Sequence, residues 1–166
     1  MVHKDFQAID WATWVPRERA TLLFIIRNGE TLLIHKKRGL GAGKINAPGG
    51  RLEDGESPLA CAIREVEEEV CVTPKGITQQ GELFFQFTNG HSIHGYVFKA
   101  TSCDGDPQET EEATPFWAPL ADLPYDRMWA DDRLWIPLLL AGNTFTGKFL
   151  FDDDAMLGHD VRTDDD

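Results

Sequence analysis

Seven carboxylates fall between Glu53 and Glu69 (Glu53, Asp54, Glu56, Glu65, Glu67, Glu68 and Glu69), with Arg64 as the lone cation in that span. On a helix turning about 100° per residue, Glu65, Glu68 and Glu69 share an arc of about 100°. Like charges that close repel by about 1 kcal/mol per pair even in bulk water at ~4 Å. A bound cation relieves that repulsion, and oxygen-only ligands select a hard ion, Mg²⁺ or Mn²⁺. Taken alone, Glu65-Val66-Glu67-Glu68-Glu69 reads as a solvated acidic helix face. The residues around it reverse that reading.

Two other motifs fail on spacing. Gly39-Leu40-Gly41-Ala42-Gly43-Lys44-Ile45 is glycine-rich like a phosphate-binding P-loop. Its glycine spacing is one residue short, and Ile45 stands where a Mg²⁺-binding Ser or Thr is needed. His91-Ser92-Ile93-His94 falls on an expected strand, whose alternation would send the two rings to opposite faces and leave no zinc site.

The elements that must position the glutamates follow from pattern. Ser57 reads as an N-cap and Pro58 as the first helical residue, so a helix is predicted to about Val70, with Leu59, Ile63, Val66 and Val70 as its apolar stripe. Thr21–Arg27 and Glu30–Lys36 form a predicted hairpin about Asn28-Gly29. A glycine-rich loop with an extended piece at Ile45-Asn46-Ala47 precedes the helix. Strands are expected at Glu82–Phe87 and Ser92–Thr101, turned by Asn89-Gly90, and near Pro115–Ala118. A second helix is predicted from Asp131 or Asp132 to Gly142, interrupted by Pro137, and Phe145–Phe151 is expected to be the final strand. Strands before, between and after two helices suggest a mixed sheet sandwiched by helices.

Composition bounds the reading. The 166 residues suit one domain with a buried core, 42% hydrophobic and 27% charged. A net charge of −12 argues against duplex nucleic acid or an anionic membrane as partner. No apolar stretch is long enough to span a bilayer and no secretory signal is read at the N-terminus. Cys61, Cys71 and Cys103 lack CxxC spacing, so reduced thiols and a cytoplasmic location are expected. Residues 1–19 read as an N-terminal extension anchored by Phe6, Ile9, Trp11 and Trp14, residues 20–157 as the domain, and residues 158–166 as an acidic, disordered tail.

The segment Gly50-x5-Glu56-x7-Arg64-Glu65-Val66-x-Glu68-Glu69-x-Cys71-Val72 resembles the Nudix box of the diphosphate hydrolases at every defined position but one, where the family's glycine is replaced by Cys71. The resemblance implies a Nudix-like α/β/α sandwich with a mixed β-sheet. It makes Glu65, Glu68 and Glu69 metal ligands, with the Gly49 carbonyl as a further one, and has Arg64 pair with a carboxylate, Glu56 among the candidates. The glycine it replaces supports a left-handed residue at the helix end, so Cys71 is expected to strain or shift that cap.

Beyond the box, Lys36 to Asn46 and Met128 to Leu140 resemble the MutT-type branch that removes oxidised purine nucleoside triphosphates. That resemblance implies Asn46, Asp131 and Asp132 as purine hydrogen-bonding groups and Trp129 as a stacking platform. Thr21 and Lys36 would lie at the pocket floor and sugar side, Pro48, Gly49, Gly50 and Arg51 would complete the substrate contacts, and Glu112 would add a metal ligand or water-orienting base. Bland roles stand beside these: Trp129 as core, Asp131 as helix N-cap, Asn46 as a loop-satisfying amide, Glu112 as a solvated acid. Leu40 and Ala47-Pro48 depart from the branch's pattern. The expected activity is Mg²⁺-dependent hydrolysis of oxidised purine triphosphates such as 8-oxo-dGTP to monophosphate and diphosphate, a sanitation of the nucleotide pool. Rivals are a Nudix hydrolase of another nucleoside diphosphate derivative or of RNA 5′ ends, and a non-catalytic nucleotide sensor.

Overall fold

A computed structural model describes residues 4–164. The predicted hairpin forms as β1 (Glu18–Arg27) and β2 (Glu30–Lys36), which pair antiparallel with Arg27 opposite Glu30. Asn28 and Gly29 both take positive φ, 53° and 75°, as a two-residue turn matching strand twist requires. Then come β3 (Ile45–Asn46), β4 (Gly49–Arg51), α1 (Pro58–Val70), β5 (Thr73–Lys75), β6 (Thr78–Phe87), β7 (Ser92–Ala100), β8 (Ser102–Asp104), β9 (Ala113–Pro119), α2 (Asp132–Leu140), β10 (Phe145–Asp152) and β11 (Ala155–Thr163).

The main sheet is mixed, in order β11-β10-β6-β7-β1-β2-β3, with β4 also on β1 and β9 on β2. β1 runs parallel to β7 and β10 parallel to β6, while β6 and β7 are antiparallel. The middle of β1, Leu22 to Ile26, is wholly apolar, and Leu23, Phe24 and Ile25 are buried because both faces of the strand are covered. Leu23 and Ile25 face one core with Val66 and Val70 of α1, whereas Phe24 faces the other with Trp135, Ile136 and Leu139 of α2. The two helices therefore lie on opposite faces, which is the expected sandwich.

Helix α1 starts as predicted: the Ser57 hydroxyl accepts from the Ala60 amide at 3.1 Å, and Pro58 occupies the first turn. Its buried side holds only the second half of the predicted stripe, Val66 and Val70. Leu59 is 46% exposed and Ile63 half-buried, while Cys61, Ala62, Val66, Glu69 and Val70 are buried. The helix is rolled toward its glutamates because they, not Leu59, pack on the glycine strand β4.

Phe145–Asp152 is not the final strand. β11 follows it and pairs antiparallel along β10, so the expected disordered tail is an ordered strand through Thr163. Residues 165–166 lie outside the described residues, as do residues 1–3. Of the N-terminal extension, Ile9 is buried, Trp14 Nε1 donates to Gln86 Oε1 at 2.8 Å, and Phe6 packs on Gly158 of β11. The expected anchors thus pack against strands of the main sheet.

Cys71 ends α1 with φ 64° and ψ 28°, the left-handed conformation in which a Cβ crowds the backbone. Relief of roughly 1–2 kcal/mol, less the roughly 0.4–1 kcal/mol that glycine's freedom adds to the unfolded chain, leaves a net gain. Cys71→Gly is expected to raise stability by up to about 1.6 kcal/mol, seen as a higher urea midpoint. A lower midpoint would show that the cysteine side chain contributes packing that outweighs its strain.

Candidate active site

The site is built where α1 lies on β4. Antiparallel pairing sets Thr21 of β1 opposite Gly50. A Cβ on Gly50 would overlap the carboxyl group of Glu65, so glycine there is what lets the acid lie against the strand. Glu69 is 3% exposed, and its Oε1 accepts from the Gly49 amide at 2.8 Å. Burial pushes its carboxyl up to about 8; the Gly49 bond opposes this and the neighbouring charge of Glu65 adds to it. Burial likewise raises Glu65.

Arg64 organises the other acids. Its Nε and Nη2 grip the two oxygens of Glu56 at 2.7 and 2.9 Å, a bidentate fork that holds Glu56 down to about 2. Nη1 reaches Glu65 at 2.9 Å and Glu68 at 3.2 Å, and Nη2 donates to the Arg51 carbonyl at 3.1 Å. One guanidinium thus joins the helix to the loop before it, with Glu56 as its tightest partner.

Lys36 and Glu112 complete this end. Burial lowers Lys36, and the charges of Glu69 and Glu65 oppose that, which places the amine in their field. Glu112 adds to the negative field at both Glu65 and Glu69, and its carboxylate meets Arg38 at 3.3 Å. Among the described residues no three His, Cys, Asp or Glu groups converge on one point. Arg64 and Arg38 draw Glu65, Glu68 and Glu112 aside. The donor set still fits a hard divalent cation: all oxygen, crowded against glycine backbone, with Glu69 desolvated and held by a single amide. Glu65, Glu68, Glu69 and Glu112 would hold it.

The second end lies on the α2 face. Trp129 is half-buried, edge-on to Phe151 at 5.5 Å, with the Lys44 ammonium 5.3 Å from its ring centre. Gly41 has φ 81°, and a Cβ there would come within 2.8 Å of Trp129 Nε1, so the loop can cover the ring only as glycine. Asp131 stands at the N-cap of α2 but does not cap it. Its backbone is already helical, and its Oδ2 accepts from Trp135 Nε1 at 2.8 Å. Its Oδ1 is buried without a hydrogen-bond partner, and Asp132 is buried beside it. Burial pushes Asp131 up to about 6, and Asp132 well above the carboxylate range, where Asp131's charge also acts.

Thr21 is buried under α1: its hydroxyl lies 3.6 Å from Cys61 Sγ and 3.5 Å from the Gly50 carbonyl, at the glutamate end. Odd positions of β1 face α1, which decides this. Asn46 is opposite Ile34 on β3, the Pro48 carbonyl accepts from the Leu23 amide at 2.9 Å, and exposed Arg51 meets Glu18 at 3.0 Å. Sequence reasoning missed Trp135 and Lys44. Trp135 is four residues after Asp131, a helical neighbour spacing that could have revealed it; Lys44 reaches Trp129 only through tertiary folding.

A family model described as the NUDIX domain matches residues 16–139. The oxidized purine nucleoside triphosphate hydrolase of Danio rerio is 38% identical over 142 residues, 85% of this chain and 88% of that protein. The protein of the same name from Mus musculus is 35% identical, over 86% of this chain and 92% of its own. A solved MutT protein from Bacillus halodurans has a TM-score of 0.76 at 27% identity, covering 90% of this chain and 99% of that one.

The aspartate pair carries a pH signature. Asp131 binds its proton more tightly folded (about 6) than at the ordinary 3.8, so the folded state holds the extra proton between those values. Its contribution is therefore most favourable in the acidic part of that window and is lost as pH rises toward and past the folded value. Asp131→Asn, which keeps an oxygen for Trp135, is expected to flatten the fall in stability from about pH 4 to pH 7. Urea unfolding across that range checks it; a parent whose stability rises there in step with the variant would refute it.

Proposed function

This chain belongs to the Nudix family, and from that premise we propose that it hydrolyses oxidised purine nucleoside triphosphates to the monophosphate and diphosphate, with a divalent cation held by Glu65, Glu68, Glu69 and Glu112. The observation that carries the substrate choice is the buried, unpartnered Oδ1 of Asp131, beside buried Asp132 and two residues along the chain from Trp129. A buried polar atom without a partner costs about 1–3 kcal/mol, and a purine edge stacked on Trp129 would supply the missing bond. The relatives named for oxidised purine triphosphates support the same choice.

Each end of the site has its own task. Lys36, in the field of Glu65 and Glu69, would meet the sugar and the phosphates that follow it. Arg64 keeps the glutamate helix against the loop that presents Gly49 and Gly50. The cation, when bound, supplies charge neutralisation for the phosphate oxygens and a lowered pKa for the attacking water. Asp131 and Asp132 face a choice of protonation: two adjacent buried carboxyls cannot both ionise cheaply, so one keeps a proton and donates while the other accepts. The pair can therefore match more than one oxidised purine edge. No helix among the described residues is long and apolar enough to cross a membrane. The three free thiols suit the cytoplasm.

Two expectations test this. Glu69→Gln, or EDTA on the parent, should lower kcat by orders of magnitude with the fold intact by circular dichroism. A variant within about tenfold of the parent, ~1.4 kcal/mol of barrier, would remove Glu69 from the chemistry. Separately, Asp131→Ala and Asp132→Ala should each cost about 1–3 kcal/mol in kcat/KM for 8-oxo-dGTP and erase its preference over dGTP. An unchanged ratio in both would leave an unspecified nucleotide as substrate.

A further inference from the structure

The last turn of a helix leaves backbone carbonyls without partners, and at the end of α1 an irregular loop supplies them. The Gln108 amide donates to the Val70 carbonyl at 2.9 Å, and the Thr110 hydroxyl donates to the Glu69 carbonyl at 2.8 Å. That hydroxyl also accepts from the Glu112 amide at 3.2 Å. A threonine hydroxyl has one proton and two lone pairs, so a single side chain ties the backbone of Glu69 to that of Glu112.

The loop has few other moorings. Residues 106–112 contain no helix or strand. On its far side the Lys37 amide donates to the Glu112 carbonyl at 3.0 Å, and Lys37 Nζ donates to the Thr110 carbonyl at 2.8 Å and to Glu109. The Thr110 amide in turn donates to the Ala113 carbonyl at 3.0 Å. The bonds from Lys37 attach the loop to the end of β2. Among the described residues, the hydrogen bonds of Gln108 and Thr110 are those that attach it to the helix that bears Glu65, Glu68 and Glu69.

We propose that Thr110 is a positioning residue, whose hydroxyl holds the Glu112 loop in register with the α1 glutamates so that carboxylates from two separate elements can share one cation. This rests on the reading of Glu112 and the α1 glutamates as metal ligands. Ligand positions must be held to a fraction of an ångström, and loss of the groups that orient ligands weakens metal binding or activity about 10–100-fold. Thr110 touches neither substrate nor metal in this arrangement. Its effect passes through the backbone of Glu69 and Glu112.

The experiment compares the parent with Thr110→Val, Thr110→Ser and Glu112→Gln, measuring Mn²⁺ binding by electron paramagnetic resonance without nucleotide, then kcat and KM with 8-oxo-dGTP. Thr110→Val keeps the shape and removes the hydroxyl. It is expected to weaken Mn²⁺ binding and lower kcat by on the order of tenfold each, with KM unchanged, and Thr110→Ser is expected to restore both. If Thr110→Val does not fold, Thr110→Ala removes the same hydroxyl and takes the same readouts. Parent-like Mn²⁺ binding and kcat in the hydroxyl-free variant, with Glu112→Gln impaired, overturns the role of Thr110 alone. A melting temperature that falls without either change shows a helix cap only, and overturns it too. Parent-like binding and turnover in Glu112→Gln instead removes Glu112 from the metal site, and this inference with it.

Discussion

The constraint on which the site depends is the repulsion among carboxylates packed against glycine backbone. Glu65 occupies the space a Cβ on Gly50 would need, and Glu69 is buried with the Gly49 amide as its donor. Such groups are stable only beside positive charge, and the protein supplies just part of it. Arg64 takes Glu56 in a two-point grip and touches Glu65 and Glu68 with the nitrogen left over. Lysine could not do this, because its single ammonium lacks the planar fork. Lys36 contributes from β2, yet its own burial lowers its affinity for a proton. In the proposed function, the remaining excess of negative charge would attract a divalent cation.

The sheet divides the work between its faces. Residues of β1 that point to α1 pack under the glutamates, and those that point to α2 join the core beneath Trp129 and the aspartate pair. Because β1 serves both faces, the glutamate end and the Trp129 end are held by the same backbone. A nucleotide needs that arrangement, with a charged end and a flat apolar end at a set separation. The loop from Gly39 to Lys44 belongs to the second end. Gly41 lies on the indole, and Lys44 bridges from the ring to Asp154 in the β10–β11 turn at 3.2 Å.

Local chemistry made much of this legible in the residues alone. The N-cap at Ser57 with Pro58 behind it, the turn at Asn28-Gly29 and the left-handed position of Cys71 are each decided by a few adjacent residues, and each stands where expected. The family assignment was readable for the same reason, since its motif is a fixed spacing within one loop and one helix. The pairing of Arg64 with a carboxylate was also within reach, eight residues separating it from Glu56.

What the sequence could not decide depended on contacts between distant segments. Periodicity named Leu59 as part of the buried stripe, but the glutamates' fit onto β4 rolled the helix and left Leu59 outside. The acidic end of the chain read as disordered by composition, yet β10 offered an unpaired edge and β11 took it. Asp131 sits where a helix cap should, but the indole of Trp135 claims one oxygen and burial strands the other. No local pattern marks Thr110; only folding brings it under the last turn of α1. Sequence spacing determines which groups are neighbours within one element, and so determined the chemistry this protein carries. Tertiary packing alone decides which of those groups lose water and which are left without a partner, and so decides where a cation and a base would bind.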